Sequence, residues 1–277
     1  FKVFYGGRLE YYRMSAEQIS TPRFSRLIKV PQGVMLVTGP TGSGKTTTLY
    51  AALGELAKPN VNVITVEDPV EKNIEGINQC QVNAKAGMTF AAALRSILRQ
   101  DPDIVMVGEM RDQETAEIAI RAAITGHMVL STLHTNDAAS TITRLVDMGV
   151  APYMVATSLI GIVAQRLCKV VCNECKTPRM STPEENELLG ITESATIYDA
   201  CGCPKCNNTG YTGRTAIHEI LLCTHEMASL IAADGKVDAI SSLAKEQGCK
   251  LLRDNVAELV LEGRTTLDEL VKLTFAV

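Results

Sequence analysis

Val34-Met35-Leu36-Val37-Thr38 runs without a break into Gly39-Pro40-Thr41-Gly42-Ser43-Gly44-Lys45-Thr46-Thr47. An uninterrupted apolar run of this kind marks a strand buried on both faces, as in a parallel sheet covered by helices. The segment after it fits G-x-x-x-x-G-K-[ST], the P-loop, whose glycines let successive backbone N–H groups turn inward around phosphate oxygens. A helical stretch from residue 45 to about 57 follows and presents its positive end to the same charge. Gly39, Pro40, Thr41, Gly42, Ser43, Gly44, Lys45, Thr46 and Thr47 are therefore the expected nucleotide-binding set. Lys45 is placed to reach the β- and γ-phosphates of ATP, and the Thr46 hydroxyl to bind Mg²⁺. The bland alternative is a Gly-rich turn with a chance lysine, and it gives no reason for a buried strand before the loop and a helix after it.

Outward from the loop, strands and helices alternate. Strands are expected at 61–66, 104–107 and 128–132, and helices at 90–99 and 113–124. That alternation predicts an α/β fold with a mainly parallel sheet covered on both faces. After Asn136 the pattern turns helical, with helices expected at 138–148 and 155–168. Residues 172–206 form a cysteine-bracketed insert containing the acidic stretch 183–187, and 225–275 read as short amphipathic helices. In the lead-in, Gly6-Gly7 between Phe4-Tyr5 and Leu9 and Tyr11 suits a hairpin or the edge of a preceding domain.

ATP hydrolysis needs a metal holder and a group that orients or deprotonates water. In an open α/β sheet both belong at the carboxyl ends of strands. Val63-Ile64-Thr65-Val66 runs into Glu67-Asp68-Pro69, and Ile104-Val105-Met106-Val107 into Gly108-Glu109. Glu109 is the expected metal holder, through a water, at the end of a Walker B-like strand. Glu67 is the expected base. His127 and His134 flank the strand at 128–132, either as γ-phosphate sensors or as ordinary satisfied hydrogen-bonding groups. Arg95 and Arg99 fall on one face of the helix expected at 90–99, and Arg111 follows the Walker B strand. Such arginines either complete a neighbour's site in a ring motor or form a solvated basic face.

Cys172-Asn-Glu-Cys175 and Cys203-Pro-Lys-Cys206 make two C-x2-C pairs with 27 residues between them. Each pair grips one metal from a tight turn, and four thiolates suit tetrahedral Zn²⁺ and leave no open position for catalysis. Cys201 competes with Cys203, but only Cys203 completes the C-x2-C turn. The gap exceeds that of a minimal zinc ribbon, so the metal is expected to staple a helical insert. Cys80, Cys168, Cys223 and Cys249 read as small buried side chains.

Composition narrows the classes. The net charge of −4, the 4% aromatic content and the lack of tryptophan argue against a nucleic-acid partner. No run of about 20 apolar residues is free of charge, so no transmembrane segment is expected. Nine cysteines without a secretory signal fit a reducing compartment, where close cysteine pairs bind metal.

Four segments carry a family resemblance: residues 39–50, 67–71, 99–112 and 125–137. They look like the Walker A, Asp box, Walker B and His box of the secretion ATPases of type II secretion and type IV pilus assembly. The cysteine bracket and the Gly210-to-Glu219 segment after it are similar to the assembly-type branch, since retraction ATPases typically lack the insert. The resemblance implies a RecA-like, ATP-hydrolysing core working as a homo-hexamer and discharging ADP. It also implies a cytoplasmic location at the bacterial inner membrane, docked on a platform protein with associated assembly proteins. It strengthens Glu67, Glu109 and both histidines as site residues. It implies a PAS-like domain before the motor, so 1–30, which begins at Phe1, is expected to be a remnant. The core then spans 31–170, the zinc insert and return 171–224, and a helical part 225–277. The rival readings are a pilus-retraction ATPase and a RecA-like nucleic-acid translocase.

Overall fold

Strand β1 (Gly33–Thr38) is buried at every position, and the sheet is built outwards from it. The computed structural model describes residues 22–275; the hairpin expected at 4–11 lies outside them. The further strands are β2 (Val63–Glu67), β3 (Asn78–Gln81), β4 (Ile104–Val107), β5 (Met128–Leu133), β6 (Leu159–Val171), β7 (Thr177–Met180), β8 (Thr196–Asp199) and β9 (Tyr211–Leu222). Seven of them form one sheet in the order β3-β2-β4-β5-β1-β6-β9. All neighbours are parallel except β6 and β9, which pair antiparallel. The fold is thus the expected α/β core with a mainly parallel sheet.

Alternation along β1 divides the core. Val34 and Leu36 face one side with Val66, Val107 and Val129, under helices Phe90–Ile97, Gln113–Ile124 and Ala138–Asp147. Met35 and Val37 face the other with Leu130 and Val163, against helix Lys45–Leu56 and helix Pro22–Ile28. The three helices of the first face start at side-chain caps. Thr89, Asp112 and Asp137 accept from the N–H groups of Ala92, Thr115 and Ser140, satisfying donors that a helix start leaves unpaired.

The helix expected at 155–168 is absent. A short helix, Pro152–Ser158, precedes the 13-residue strand β6. Its apolar run, Leu159 to Ala164, has no decisive period, and sheet partners on both sides settle it as strand: β1 on one edge and β9 on the other. Gly161 admits helix Pro22–Ile28, since a Cβ there would lie 2.5 Å from Leu27 and 2.7 Å from the Leu221 carbonyl oxygen. The insert is likewise not chiefly helical. It is the two-stranded antiparallel ribbon β7–β8 with one short helix, Pro183–Leu189. The acidic stretch supplies that helix with a capping box, in which Glu185 is also gripped by Arg179 at 2.6 and 2.7 Å.

β6 and β9 run on past the sheet edge. Cys168 and Ile217 there pack with Ile197 of the insert and with Val256, Val260 and Leu270. The last three sit on Leu252–Leu261 and Leu267–Phe275, the final two of four C-terminal helices. Glu219 joins this part to the core. Its buried carboxylate accepts from Ala138 N–H at 3.0 Å and Leu252 N–H at 3.3 Å, so one side chain holds the starts of two helices. Burial raises its pKa, and the two N–H groups work against that rise. Among the described residues no helix is long and apolar enough to cross a membrane. Replacing Glu219 with Ala orphans both N–H groups, and we expect a loss of about 1–3 kcal/mol in urea unfolding at unchanged m-value.

Candidate active site

Hydrogen bonds stitch the carboxyl ends of the central strands. The Thr38 hydroxyl donates to the Leu133 carbonyl at 3.1 Å and accepts from Thr135 N–H at 3.0 Å. The Thr132 hydroxyl donates to the Gly108 carbonyl at 2.7 Å, and Gly108 N–H donates to the Val66 carbonyl at 2.8 Å. The ends of β1, β5, β4 and β2 are thereby held in one row. Above them lies a cleft of about 340 Å³, lined by the phosphate loop from Thr41 to Thr47 and by Glu67, Asp68, Glu109 and His134.

The loop itself requires glycine. Gly39, Gly42 and Gly44 have φ of 144°, 80° and 85°, and a Cβ on Gly39 would stand 2.3 Å from the Gln165 carbonyl oxygen. Lys45 is buried and donates to the carbonyls of Gly39 at 2.9 Å and Pro40 at 3.1 Å. Burial lowers its pKa, and the nearby Glu109 carboxylate opposes that. The Ser43 hydroxyl is buried with no hydrogen-bond partner among the described residues. The ammonium and the helix N-terminus at one glycine-rich loop form a donor set suited to phosphate oxygens, while the Ser43 hydroxyl lies beneath the loop on the side of Gly39.

The two acids stand in different surroundings. Glu67 is buried, and its carboxylate accepts from the Tyr50 hydroxyl, from Thr65 at 2.5 Å and from Gln79 at 3.0 Å. Burial and the adjoining Glu67 carboxylate push the Tyr50 phenol well above its ordinary range. Glu109 pairs with Arg111 at 2.5 Å and lies 3.5 Å from His134 Nε2. That carboxylate raises the pKa of the exposed Arg111 guanidinium.

The other expected site residues lie elsewhere in the chain. His127 precedes β5 at the opposite end of the strand from His134, and its Nδ1 lies 2.9 Å from the Ala122 carbonyl, near the end of helix Gln113–Ile124. It does not reach this cleft because β5 runs its full length between the two histidines. Arg95 is exposed and paired with Glu114. Its helix ends at Ile97, so Arg99 sits in the turn beyond it, exposed, and the shared helical face does not extend to it. The sequence reading passed over Tyr50, Gln79 and Gln165. Gln165 opens the polar pair Gln165-Arg166 that closes the apolar run of β6, and reading that run as a helix hid its proximity to the loop.

The cysteines assemble at the base of the β7–β8 ribbon. The sulfurs of Cys172, Cys175, Cys203 and Cys206 all lie within 4.8 Å of one another, and Cys201 stands apart beside Thr177. Three of the spacings are 3.9, 3.9 and 3.8 Å. Four thiolates at about 2.3 Å from a tetrahedral Zn²⁺ would be spaced about 3.8 Å apart, so the cluster fits the ion. Backbone N–H groups of Gly202, Cys203 and Gly210 point at these sulfurs at 3.1–3.3 Å, favouring thiolate. Burial opposes ionisation of Cys206 while the N–H groups of Cys203 and Gly210 favour it and lower its pKa, and burial together with the neighbouring sulfurs raises that of Cys175, as happens when thiols this close share charge.

With this geometry in hand, comparison with known proteins is specific. The sequence model of the family described as "Type II/IV secretion system protein" matches residues 5–272. Type II secretion system protein E of Pseudomonas aeruginosa is 48% identical over 270 residues, covering 97% of this chain and 54% of that protein. The type IV pilus assembly ATPase PilB of Thermus thermophilus is 50% identical over 256 residues, covering 91% of this chain and 29% of that protein. The crystal structure of the pilus retraction motor PilT with bound ADP superposes with a TM-score of 0.72 at 30% identity, covering 94% of this chain and 66% of that one. The chain spans about half the length, or less, of these curated relatives.

The four-sulfur geometry sets an expectation for metal content. Elemental analysis of the purified chain should find about one Zn²⁺ per subunit, as one closed four-thiolate site requires. Cys203→Ser should lose the metal and Cys201→Ser should keep it; the reverse result would overturn the ligand set.

Proposed function

The chain belongs to the type II/IV secretion system protein family, and from that premise we propose that it is an ATP-hydrolysing motor domain powering assembly of a pilus or pseudopilus. The observation that carries this reading is the cleft where the phosphate loop, Glu67, Glu109 and His134 meet at one edge of the parallel sheet. Loop N–H groups and Lys45 bind the β- and γ-phosphates, and the Thr46 hydroxyl holds Mg²⁺. Glu109 would help to hold the ion, which when bound would neutralise charge developing on the phosphates. Glu67, fixed in one orientation by Tyr50, Thr65 and Gln79, accepts the proton of the attacking water. His134, half exposed beside Glu109, is placed to respond when the γ-phosphate leaves. Cys172, Cys175, Cys203 and Cys206 would hold Zn²⁺ as a structural clasp for the ribbon, with no open coordination position for hydrolysis.

Arg95 and Arg99 point outward rather than into their own cleft, which suits a ring in which each subunit completes its neighbour's site. We assign the protein to a homo-hexamer on the cytoplasmic side of the bacterial inner membrane, bound to a platform protein and its assembly partners. The cysteine bracket, together with 48–50% identity to assembly-type relatives, favours assembly over retraction.

Lys45→Ala should abolish nucleotide binding and turnover. Glu67→Gln should leave ATP affinity near that of the wild type and cut steady-state hydrolysis by a factor of about 10²–10⁴, the range of general-base catalysis. Glu109→Gln should weaken Mg²⁺-dependent binding as well. Wild-type turnover by Glu67→Gln would remove it as the base, and a pure turnover defect in Glu109→Gln would give Glu109 that role. The rate per subunit should rise with protein concentration, and full activity in a demonstrably monomeric sample would sink the shared-site ring.

A further inference from the structure

Gln165 lies on β6 beneath the phosphate loop and is almost wholly buried. Its amide meets three partners. Nε2 donates to the Ser43 carbonyl at 2.7 Å, and Oε1 accepts from the Thr48 hydroxyl at 2.6 Å and faces His218 Nε2 at 3.1 Å. A carbonyl can only accept, so the amide atom facing Ser43 must be the nitrogen. The oxygen must then face Thr48 and His218, and His218 must donate through Nε2–H. The Gln165 backbone carbonyl also lies against Gly39, where no Cβ could fit. One residue thus touches the loop at its first glycine, at its buried serine and at the first turn of the helix it opens.

His218 is the cross-strand partner of Gln165 on β9. Burial brings its pKa down to about 4, so its ring is neutral at pH 7. Its own carbonyl accepts from Asn255 at 3.0 Å, on the C-terminal helix Leu252–Leu261. A neutral imidazole with one N–H supplies a single directed donor, which together with Thr48 leaves the amide one orientation.

We propose that Gln165 is a positioning residue for the nucleotide phosphates. It fixes the loop from the sheet side so that the N–H groups and Lys45 face one point, and His218 acts through it by setting the direction of its amide. This rests on the nucleotide reading of the loop. Gln165 is not expected to touch the nucleotide. It holds the Ser43 carbonyl, and with it the peptide plane that carries the Gly44 N–H.

The test is titration of the intact chain with Mg²⁺ and ADP by calorimetry, alongside thermal unfolding of the ligand-free protein. Gln165→Met keeps the length and loses all three bonds; its Kd should rise about tenfold or more, the worth of one buried hydrogen bond whose partner is left unsatisfied. His218→Phe should raise Kd, and His218→Gln, which restores a donor, should recover most of it. Because His218 acts through Gln165, the double variant Gln165→Met/His218→Phe should bind no worse than Gln165→Met alone. A general loosening of the core would instead add the two losses and would not be rescued by His218→Gln. Wild-type affinity in a folded Gln165→Met protein overturns the proposal, and additive losses overturn the role of His218. Failure of the wild type to bind Mg²⁺ and ADP, with Lys45→Ala no different, overturns the nucleotide reading itself and the positioning role with it.

Discussion

Strand β1 is hydrogen-bonded on both edges, to β5 and β6, and buried on both faces. A strand so enclosed has no freedom to slide, because a one-residue slip would exchange the side chains of its two packed faces. The phosphate loop leaves its end at Thr38, and that end is pinned again by hydroxyl bonds to Leu133 and Thr135. The loop therefore begins from a point fixed by many small contacts. Parallel pairing then brings the ends of β2, β4 and β5 to the same edge, so residues as far apart in the chain as Thr41 and His134, 93 positions, meet around one cleft. No single functional residue could maintain this arrangement alone.

Much of the cleft was legible because its parts announce themselves locally. A glycine pattern between a buried strand and a helix states a backbone geometry, and acids directly after apolar runs state a position at strand ends. The cysteine turns are equally local, and they place all four sulfurs in one cluster. The illegible parts are those decided by tertiary partners. The run 159–164 has no period that separates strand from helix, and its strand character comes from pairing with β1 and β9. β3, with the sequence Asn-Gln-Cys-Gln, has no apolar pattern and is a strand because β2 offers it an edge. His127 and His134 look equivalent in the sequence, yet a strand puts its two ends on opposite sides of the sheet. Gln165 and His218 become partners only when β6 and β9 pair.

The polar interior follows a consistent rule. Glu67, Gln165 and Glu219 are each buried, and each carries at least two hydrogen bonds from separate elements. Such groups contribute little to burial energy and are costly to leave partly satisfied, so their value lies in fixing how elements sit against one another. Glu67 joins the phosphate-loop helix to β3, Gln165 joins the loop to β6, and Glu219 joins the core to the C-terminal helices.

The last β1-paired residue of β6 is Ala164, and the strand continues to Val171 alongside β9. At about 3.3 Å per residue this overhang reaches some 23 Å beyond the sheet and carries the cysteine-clasped ribbon at its tip. The overhang is braced along its length: Cys168 and Ile217 pack against the last two helices, Val171 N–H donates to the Arg264 carbonyl, and the Thr265 hydroxyl donates to the Lys169 carbonyl, so strands, ribbon and helices form one arm that leaves the sheet at Gln165. A tilt of ten degrees at the root sweeps the tip through about 4 Å over such a length. Geometry alone therefore makes the far end of this arm the place where any angular change at the sheet edge beside the phosphate loop has its largest displacement.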